Sequence, residues 1–294
     1  MDLSIIIINY QTRNLTAQCL KSIKNSKDNL KKEVIVIDNH SQDDSPEYLI
    51  KNFSFINLIK SNKNLGFAKG NNLGVKKAKG KYILFLNSDT LLKSDSLQLL
   101  YNQVLKNHSS IASCQLLNQD KSIQSQGGCL PNLFTVFAWM LFIDDLPFIK
   151  DILMPYHQNN LSFFKKDQSP GWLSGTALLV KKQIFQKLKG FDPHFFMYGE
   201  DVDFCLRAKK MGFKLNYFHK PQIIHLCHGS GNQQSALLGE FQGLKYIYKK
   251  HQASWQYPLL RLLLKTGALL RLIIYLIKNE KDKSQTYFKA FQLA

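Results

Sequence analysis

The sequence predicts an α/β fold with a mostly parallel sheet, on two observations. Short apolar runs alternate with stretches of helical periodicity through the first half of the chain, as strands do when helices cover both faces of a sheet. Two of those runs lead straight into a carboxylate, Asp38 or Asp89. Both acids therefore belong to the carboxyl edge of the sheet, where ligands bind in folds of this class.

The elements follow in order. Leu3 to Ile8 is a buried-strand run. Asn14 stands as the N-cap of a helix that places Leu15, Cys19, Leu20 and Ile23 on one face. Val34 to Ile37 is the second strand and ends at Asp38. Ile56 to Ile59 is the third, and a helical stretch runs from about Ala68 to Ala78. Tyr82 to Leu86 is the fourth and ends at Asn87-Ser88-Asp89. The second half is less regular. Leu133 to Leu153 is aromatic and apolar, broken by Asp144-Asp145 and Pro147. Trp172 to Val180 reads as a strand, Val202 to Met211 as a helix and Phe213 to Phe218 as a strand.

Composition bounds the function. Of 294 residues 45% are hydrophobic and 20% charged, which fits a chain with a substantial core rather than a disordered one. Lys and Arg number 39 against 21 acids, a net +18. Nucleic acid, an anionic membrane and a phosphorylated substrate are the partner classes that such an excess suits. No nucleic-acid recognition motif is present, and nucleic-acid binding leaves the acids at the strand ends unexplained. The five cysteines form no CxxC pair, a pattern suited to a reducing compartment. Met1-Asp2-Leu3 runs into the first strand without a basic leader, so no signal peptide is expected.

The last fifty residues are a separate signal. From Leu244 onward ten basic residues face two acids, a net +8. Pro258 to Ile277 could form a helix about 30 Å long. Arg261, Lys265 and Arg271 interrupt it, each costing roughly 2.5–3.5 kcal/mol near a bilayer centre. With Lys278 they share an arc of about 140°, the pattern of a helix lying in the membrane plane rather than crossing it. A helix packed on the protein or in a homodimer interface is the alternative.

Four segments of the first half form a series: Ser4-Ile5-Ile6-Ile7-Ile8-Asn9-Tyr10, Val36-Ile37-Asp38-Asn39-His40-Ser41, Asn64-Leu65-Gly66-Phe67-Ala68-Lys69-Gly70-Asn71-Asn72 and Leu86-Asn87-Ser88-Asp89-Thr90. Gly171-Trp172-Leu173-Ser174-Gly175-Thr176-Ala177, Gly190-Phe191-Asp192, Phe195-Phe196-Met197-Tyr198, Glu200-Asp201-Val202-Asp203 and Cys205-Leu206-Arg207 follow. The ordered series, over roughly residues 3 to 231, resembles the inverting family-2 glycosyltransferases of GT-A fold, and within them the rhamnosyltransferase-like branch.

Such a transfer needs a base for the acceptor hydroxyl and positive charge for the departing diphosphate. The resemblance implies Asp201 as the base, with Glu200 completing an acidic pair. The residues alone also allow ordinary acids at a helix start. Asp203 points about 200° away from Asp201 on a helix and supports the site, pairing with Arg207 four residues on. Asp89, the last acid of a motif that here reads Asn87-Ser88-Asp89, is the implied ligand of a divalent Mg²⁺ or Mn²⁺; its distance from Ser94 is too long for a helix cap. A histidine of the His225-Leu226-Cys227-His228 segment joins it. Either His225 or His228 fits, and the Cys between them leaves a zinc site as the rival.

Asn9, Tyr10, Asp38, Asn39, Asn64, Gly66, Phe67, Asn71 and Asn87 are implied for the nucleotide-sugar donor. The bare residues allow Asp38 as a turn former and the glycines as helix-packing positions. Trp172, Ser174, Gly175 and Tyr198 are implied for the acceptor. The expected organisation is a GT-A domain over 1–235 (nucleotide-sugar half 1–115, acceptor and catalytic half 116–235) and a basic helical tail over 236–294. The implied partners are a nucleotide-diphosphate sugar, dTDP-rhamnose or a UDP-hexose, and a lipid-linked saccharide. The implied place is the cytoplasmic face of a bacterial inner membrane, held peripherally on anionic lipid.

Overall fold

Nine strands form one sheet among the residues that the computed structural model describes, 1–146, 154–227 and 233–294. β1 (Leu3–Asn9), β2 (Lys32–Asp38), β3 (Ile56–Lys60) and β4 (Tyr82–Leu86) pair in parallel in the order β3-β2-β1-β4. The continuous apolar runs reflect burial on both faces. Ile6 of β1 faces one core with Ile35, Ile37 and Phe85, while Ile5 and Ile7 face the other with Val34, Val36 and Leu84. Helices α1 (Arg13–Lys24), α2 (Ser45–Asn52) and α3 (Gly66–Lys77) join these strands. α1 begins one residue before the expected cap: Thr12 occupies the N-cap position, and Asn14 is exposed within the first turn.

The second half adds strands of both directions. β5 (Thr90–Leu92) follows Asp89 at once, and α4 (Ser96–Lys106) leads to β6 (Ile111–Leu117) and β7 (Ile123–Gln124). β8 (Ala177–Lys181) runs antiparallel between β4 and β6. It is shorter than expected, because Trp172 leaves the sheet after one bridge to Gly128. β9 (Leu215–His225) is longer than expected and carries Pro221 within it. The register shift between Cys114 and Gln115 of β6, opposite, is the irregularity at which a proline without an N–H is tolerated. The sheet order closes as β4-β8-β6-β9-β5.

Between β7 and β8 lies α5 (Leu133–Met140), capped by Asn132, which accepts from the Thr135 N–H at 3.0 Å. The end of the expected apolar stretch, 147–153, lies outside the described residues. α6 (Lys182–Lys187) and α7 (Glu200–Lys210) follow. The C-terminal segment is three helices, α8 (Gln233–His251), α9 (Gln256–Ile277) and α10 (Lys281–Leu293).

These helices pack on the rest of the molecule. Gly243 of α8 sits against the backbone before α7, where an added Cβ would lie 2.9 Å from the Tyr198 carbonyl oxygen. α9 buries Leu260, Leu264, Gly267, Ala268 and Arg271. This corrects the expected polar arc. Arg271 points inward, where it donates to the carbonyls of Met140 at 2.8 Å and Trp139 at 2.7 Å and stacks 3.9 Å from the Phe142 ring. It adds a donor to the Trp139 carbonyl, which also accepts from the Phe142 N–H, and supplies one to the Met140 carbonyl at the end of α5. Arg261 reaches the Ala294 carbonyl at 2.7 Å, and Lys265 lies over Phe291. The outward face of α9 is apolar instead, with Leu259, Leu262, Leu269, Ile273, Leu276 and Ile277 exposed. No helix among the described residues is long and apolar enough to cross a membrane.

Candidate active site

The ends of β1, β2 and β4 form one edge. Asn9 and Asp38 are register partners, and the Asn9 amide donates to Asp38 Oδ1 at 2.7 Å and to Ser41 at 3.0 Å. Asn9 Oδ1 accepts from Thr12 and Thr16. The other Asp38 oxygen accepts from the Ser41 N–H at 3.1 Å, which shapes the turn after β2. Asn39 donates to the Gly66 carbonyl at 3.0 Å and ties that turn to the start of α3. Asn64 accepts from the Gly66 N–H, and the Asn71 amide holds the Phe67 carbonyl. Gly66 has φ +69°, and a Cβ there would strike the Phe196 carbonyl, so this position needs glycine. Tyr10 lies half-buried just past the end of β1. The structure thus gathers Asn9, Asp38, Asn39, Asn64, Gly66 and Asn71 into one hydrogen-bonded edge.

Asn87, Ser88 and Asp89 lie between β4 and β5. The Asn87 N–H donates to the Thr176 carbonyl, which fixes this turn against the entry to β8. Asp89 is buried, and its Oδ1 lies 3.3 Å from His225 Nε2 at the end of β9. The antiparallel pairing of Thr90 with His225 brings them together. The far ring nitrogen, Nδ1, lies 2.8 Å from Gln124 Oε1. If Nδ1 donates to Gln124, Nε2 is the nitrogen left to face Asp89, the side on which histidines bind metals. Cys227 Sγ accepts from Gln124 Nε2 at 2.8 Å. His228 lies outside the described residues. Among the described residues no three His, Cys, Asp or Glu side chains gather to hold an ion. One carboxylate and one imidazole fit an ion that takes its remaining ligands from phosphate oxygens and water, the usual situation of Mg²⁺.

The acidic pair begins α7. Gly199, with φ +98°, turns the chain into the helix. Asp201 accepts from the Gly175 N–H at 3.0 Å and the Val202 N–H at 2.8 Å, so both carboxylate oxygens are aimed by backbone. Burial raises its pKa above the ordinary carboxylate range, against the pull of those hydrogen bonds. Glu200 is buried and its Oε2 has no hydrogen-bond partner. Burial and the Asp201 charge push its pKa up to about 8. Glu200 therefore holds its proton more tightly than an ordinary carboxyl does, and Asp201 shares the upward direction. Asp203 points away, as its spacing predicts, and binds Arg207, Lys250 and His251, each at 2.7 Å. Burial works against its charge, but those partners hold its carboxyl below the usual range.

Asp201 and Glu200 open into a cavity of about 830 Å³ lined also by Trp172, Ser174 and Tyr198. Trp172 is fixed by its indole N–H to the Tyr156 carbonyl at 2.8 Å, and Ser174 by Thr176 at 2.9 Å. Gly175 lies beside the Phe67 ring and the Asp201 Cβ. The sequence reading missed the opposite wall. His157 and Glu240 form an ion pair at 2.6 Å, and Tyr275, Lys283 and Tyr287 come from α9 and α10. Burial lowers the His157 pKa, but the Glu240 carboxylate outweighs it and the net shift is upward. The one local signal was the Tyr156-His157 pair; the rest converge only when α8, α9 and α10 pack. Gln124, behind His225, was missed for the same reason.

The fold is that of a glycosyltransferase, and residues 4–204 match the family described as Glycosyl transferase family 2, to which the chain belongs. A rhamnosyltransferase, WbbL of Escherichia coli (strain K12), is 29% identical over 173 residues, 55% of this chain and 61% of that protein. The chain thus spans less than two thirds of that relative. An N-acetylglucosaminyl-diphospho-decaprenol L-rhamnosyltransferase of Mycobacterium tuberculosis (strain CDC 1551 / Oshkosh) is 24% identical over 241 residues, covering 77% of this chain and 78% of its own. The crystal structure of GalNAc-T7 with UDP, GalNAc and Mn²⁺ superimposes with a TM-score of 0.61 at 14% identity, covering 84% of this chain and 47% of that one. The architecture is the GT-A fold.

Proposed function

We propose that this glycosyltransferase inverts the anomeric centre and moves rhamnose from dTDP-rhamnose to a hydroxyl of a lipid-linked saccharide in bacterial surface polysaccharide synthesis. The observation that carries the reading is Asp201, a carboxylate oriented by two backbone N–H groups in the lining of a cavity. The acceptor hydroxyl gives its proton to Asp201 as its oxygen bonds the anomeric carbon. The bond from that carbon to the diphosphate breaks on the opposite face, and the nucleoside diphosphate leaves with the electron pair. Glu200, whose carboxyl burial and the Asp201 charge hold toward its protonated form, lies beside the base. Asp89 and His225 are the residues that would hold a Mg²⁺ or Mn²⁺, and such an ion supplies positive charge to the departing diphosphate. Asn9, Asp38, Asn39, Asn64, Gly66, Phe67, Asn71 and Tyr10 form the donor side, and Trp172, Ser174, Gly175 and Tyr198 the acceptor side.

The relatives named for rhamnose transfer, one of them to a diphospho-decaprenol acceptor, support the donor and the acceptor class. The apolar outer face of α9, with Ile277 80% and Leu262 62% exposed, supports peripheral attachment to the cytoplasmic face of the inner membrane. The surrounding basic residues suit anionic lipid. Thermal-shift screening against dTDP-, UDP- and GDP-sugars with Mg²⁺ or Mn²⁺ tests the donor, because a ligand that binds the native state raises the apparent stability. Stabilisation by dTDP-rhamnose above the others is expected. Selective stabilisation by a UDP-hexose would replace that donor and keep the chemistry.

A further inference from the structure

The cavity beyond Asp201 is walled on one side by residues that lie after the family-matched segment. Glu240 comes from α8, Tyr275 from the last turn of α9, and Lys283 and Tyr287 from α10. We infer that these C-terminal helices form the acceptor subsite, built for a saccharide joined through a diphosphate to a lipid. This rests on the glycosyltransferase reading and assigns the substrate's place within it.

Three kinds of chemistry gather at this wall. One is the His157–Glu240 pair, 2.6 Å apart, with the rings of Tyr156 and Trp172 around it. A carboxylate locked by an imidazolium presents its remaining lone pairs to hydroxyls, and ring faces pack against the C–H face of a pyranose. Next come Tyr275 and Tyr287, stacked at 5.5 Å, with the Lys283 ammonium 5.1 Å from the Tyr275 ring. Lys283 is half exposed and pairs with Glu280 at 2.6 Å. It is a cation at the rim that can exchange this surface pair for a phosphate. Leu276 and Ile277, the next two residues of α9, are 61% and 80% exposed and belong to its apolar outer face rather than to the cavity lining. Hydroxyl acceptor, cation and apolar face are the three chemistries that a sugar, a diphosphate and a lipid require.

The test uses the full chain and a panel of N-acetylglucosamine, glucose and galactose, each carried on a decyl diphosphate, beside the plain decyl glycosides. Saturation-transfer NMR reads binding, with dTDP-rhamnose and UDP-glucose as donor controls. At least one diphosphate-linked sugar should bind. Glu240→Gln should weaken that sugar at least tenfold and leave donor affinity within twofold. Lys283→Gln should weaken the diphosphate-linked sugar at least fivefold and leave its plain glycoside unchanged, a distinction that a merely structural role does not produce. Wild-type protein that binds donor but no panel member overturns the subsite, as does equal binding by wild type and both variants. Failure to bind either donor removes the transferase reading itself, and this inference with it.

Discussion

Replacing Glu200 by Gln should change how stability depends on pH. Burial and the neighbouring Asp201 charge push Glu200 from its ordinary 4.5 to about 8 in the folded chain. The unfolded chain therefore loses this proton near pH 4.5, while the folded chain keeps it until about pH 8. The stabilising contribution is complete below the lower value and is lost as pH rises through the upper one. Across that window the unfolded state binds one proton fewer, so wild-type stability falls by about 1.4 kcal/mol per pH unit from this group. The total is a few kcal/mol. Glu200→Gln removes the titration and keeps the size. Asp201 titrates with the same sign in both proteins and largely cancels. A chain of this length shifts its Tm by about 2 °C per kcal/mol, so the variant should gain roughly 2–3 °C per pH unit on wild type between pH 5 and 8. Differential scanning calorimetry in matched buffers measures it. The Gln amide meets the same unpartnered surroundings at every pH, so any cost it adds is a constant offset. Parallel Tm–pH curves would refute the burial argument for Glu200.

Four further outcomes follow from the geometry. Asp201→Asn should lower transfer at least about 100-fold, the usual scale of general-base catalysis, while calorimetric donor affinity stays within twofold; near-normal turnover would remove the base assignment. Asp89→Ala and His225→Ala should each abolish stimulation of donor binding by Mg²⁺ or Mn²⁺, and wild-type transfer insensitive to EDTA would count against a metal-assisted departure. Arg271→Met should cost about 1–3 kcal/mol by removing the guanidinium donors to the Trp139 and Met140 carbonyls, seen as a Tm lower by about 2–6 °C. A Leu262→Glu, Ile273→Glu double variant should lose flotation with anionic liposomes at low salt; wild-type protein that stays off such vesicles would make the α9 ridge a protein contact instead.

The parallel half of the sheet was legible because local pattern decides it: β1, β2 and β4 are apolar runs with long buried stretches, Asp38 ends β2, and Asp89 comes three residues after β4. The acidic pair was legible through its motif, and the pairing of Asp203 with Arg207 through helical spacing. That β9 runs unbroken through Pro221 was not, since the register shift that admits a proline there is set by the pairing with β6. The orientation of α9 was not legible either. Periodicity correctly finds a two-faced helix there, but a basic residue on one face says nothing about which face turns inward. Burial of Arg271 is settled by the carbonyls at the end of α5, more than 100 residues earlier in the chain. Glu240, Tyr275 and Tyr287 carry no local signal for the same reason.

The inward Arg271 also sets an order of assembly. Asp201 and its aiming N–H groups are complete once residue 202 has been made, but the wall facing them awaits α10. During synthesis the first 200 residues can fold while the rest is still being added. The Arg271 link to α5, the Lys245 contact with the Leu293 carbonyl and the Arg261 contact with Ala294 then dock α9 and α10 and complete the wall. Without α10 the acidic pair would keep its backbone donors and lose Lys283 and Tyr287 from the cavity that faces it.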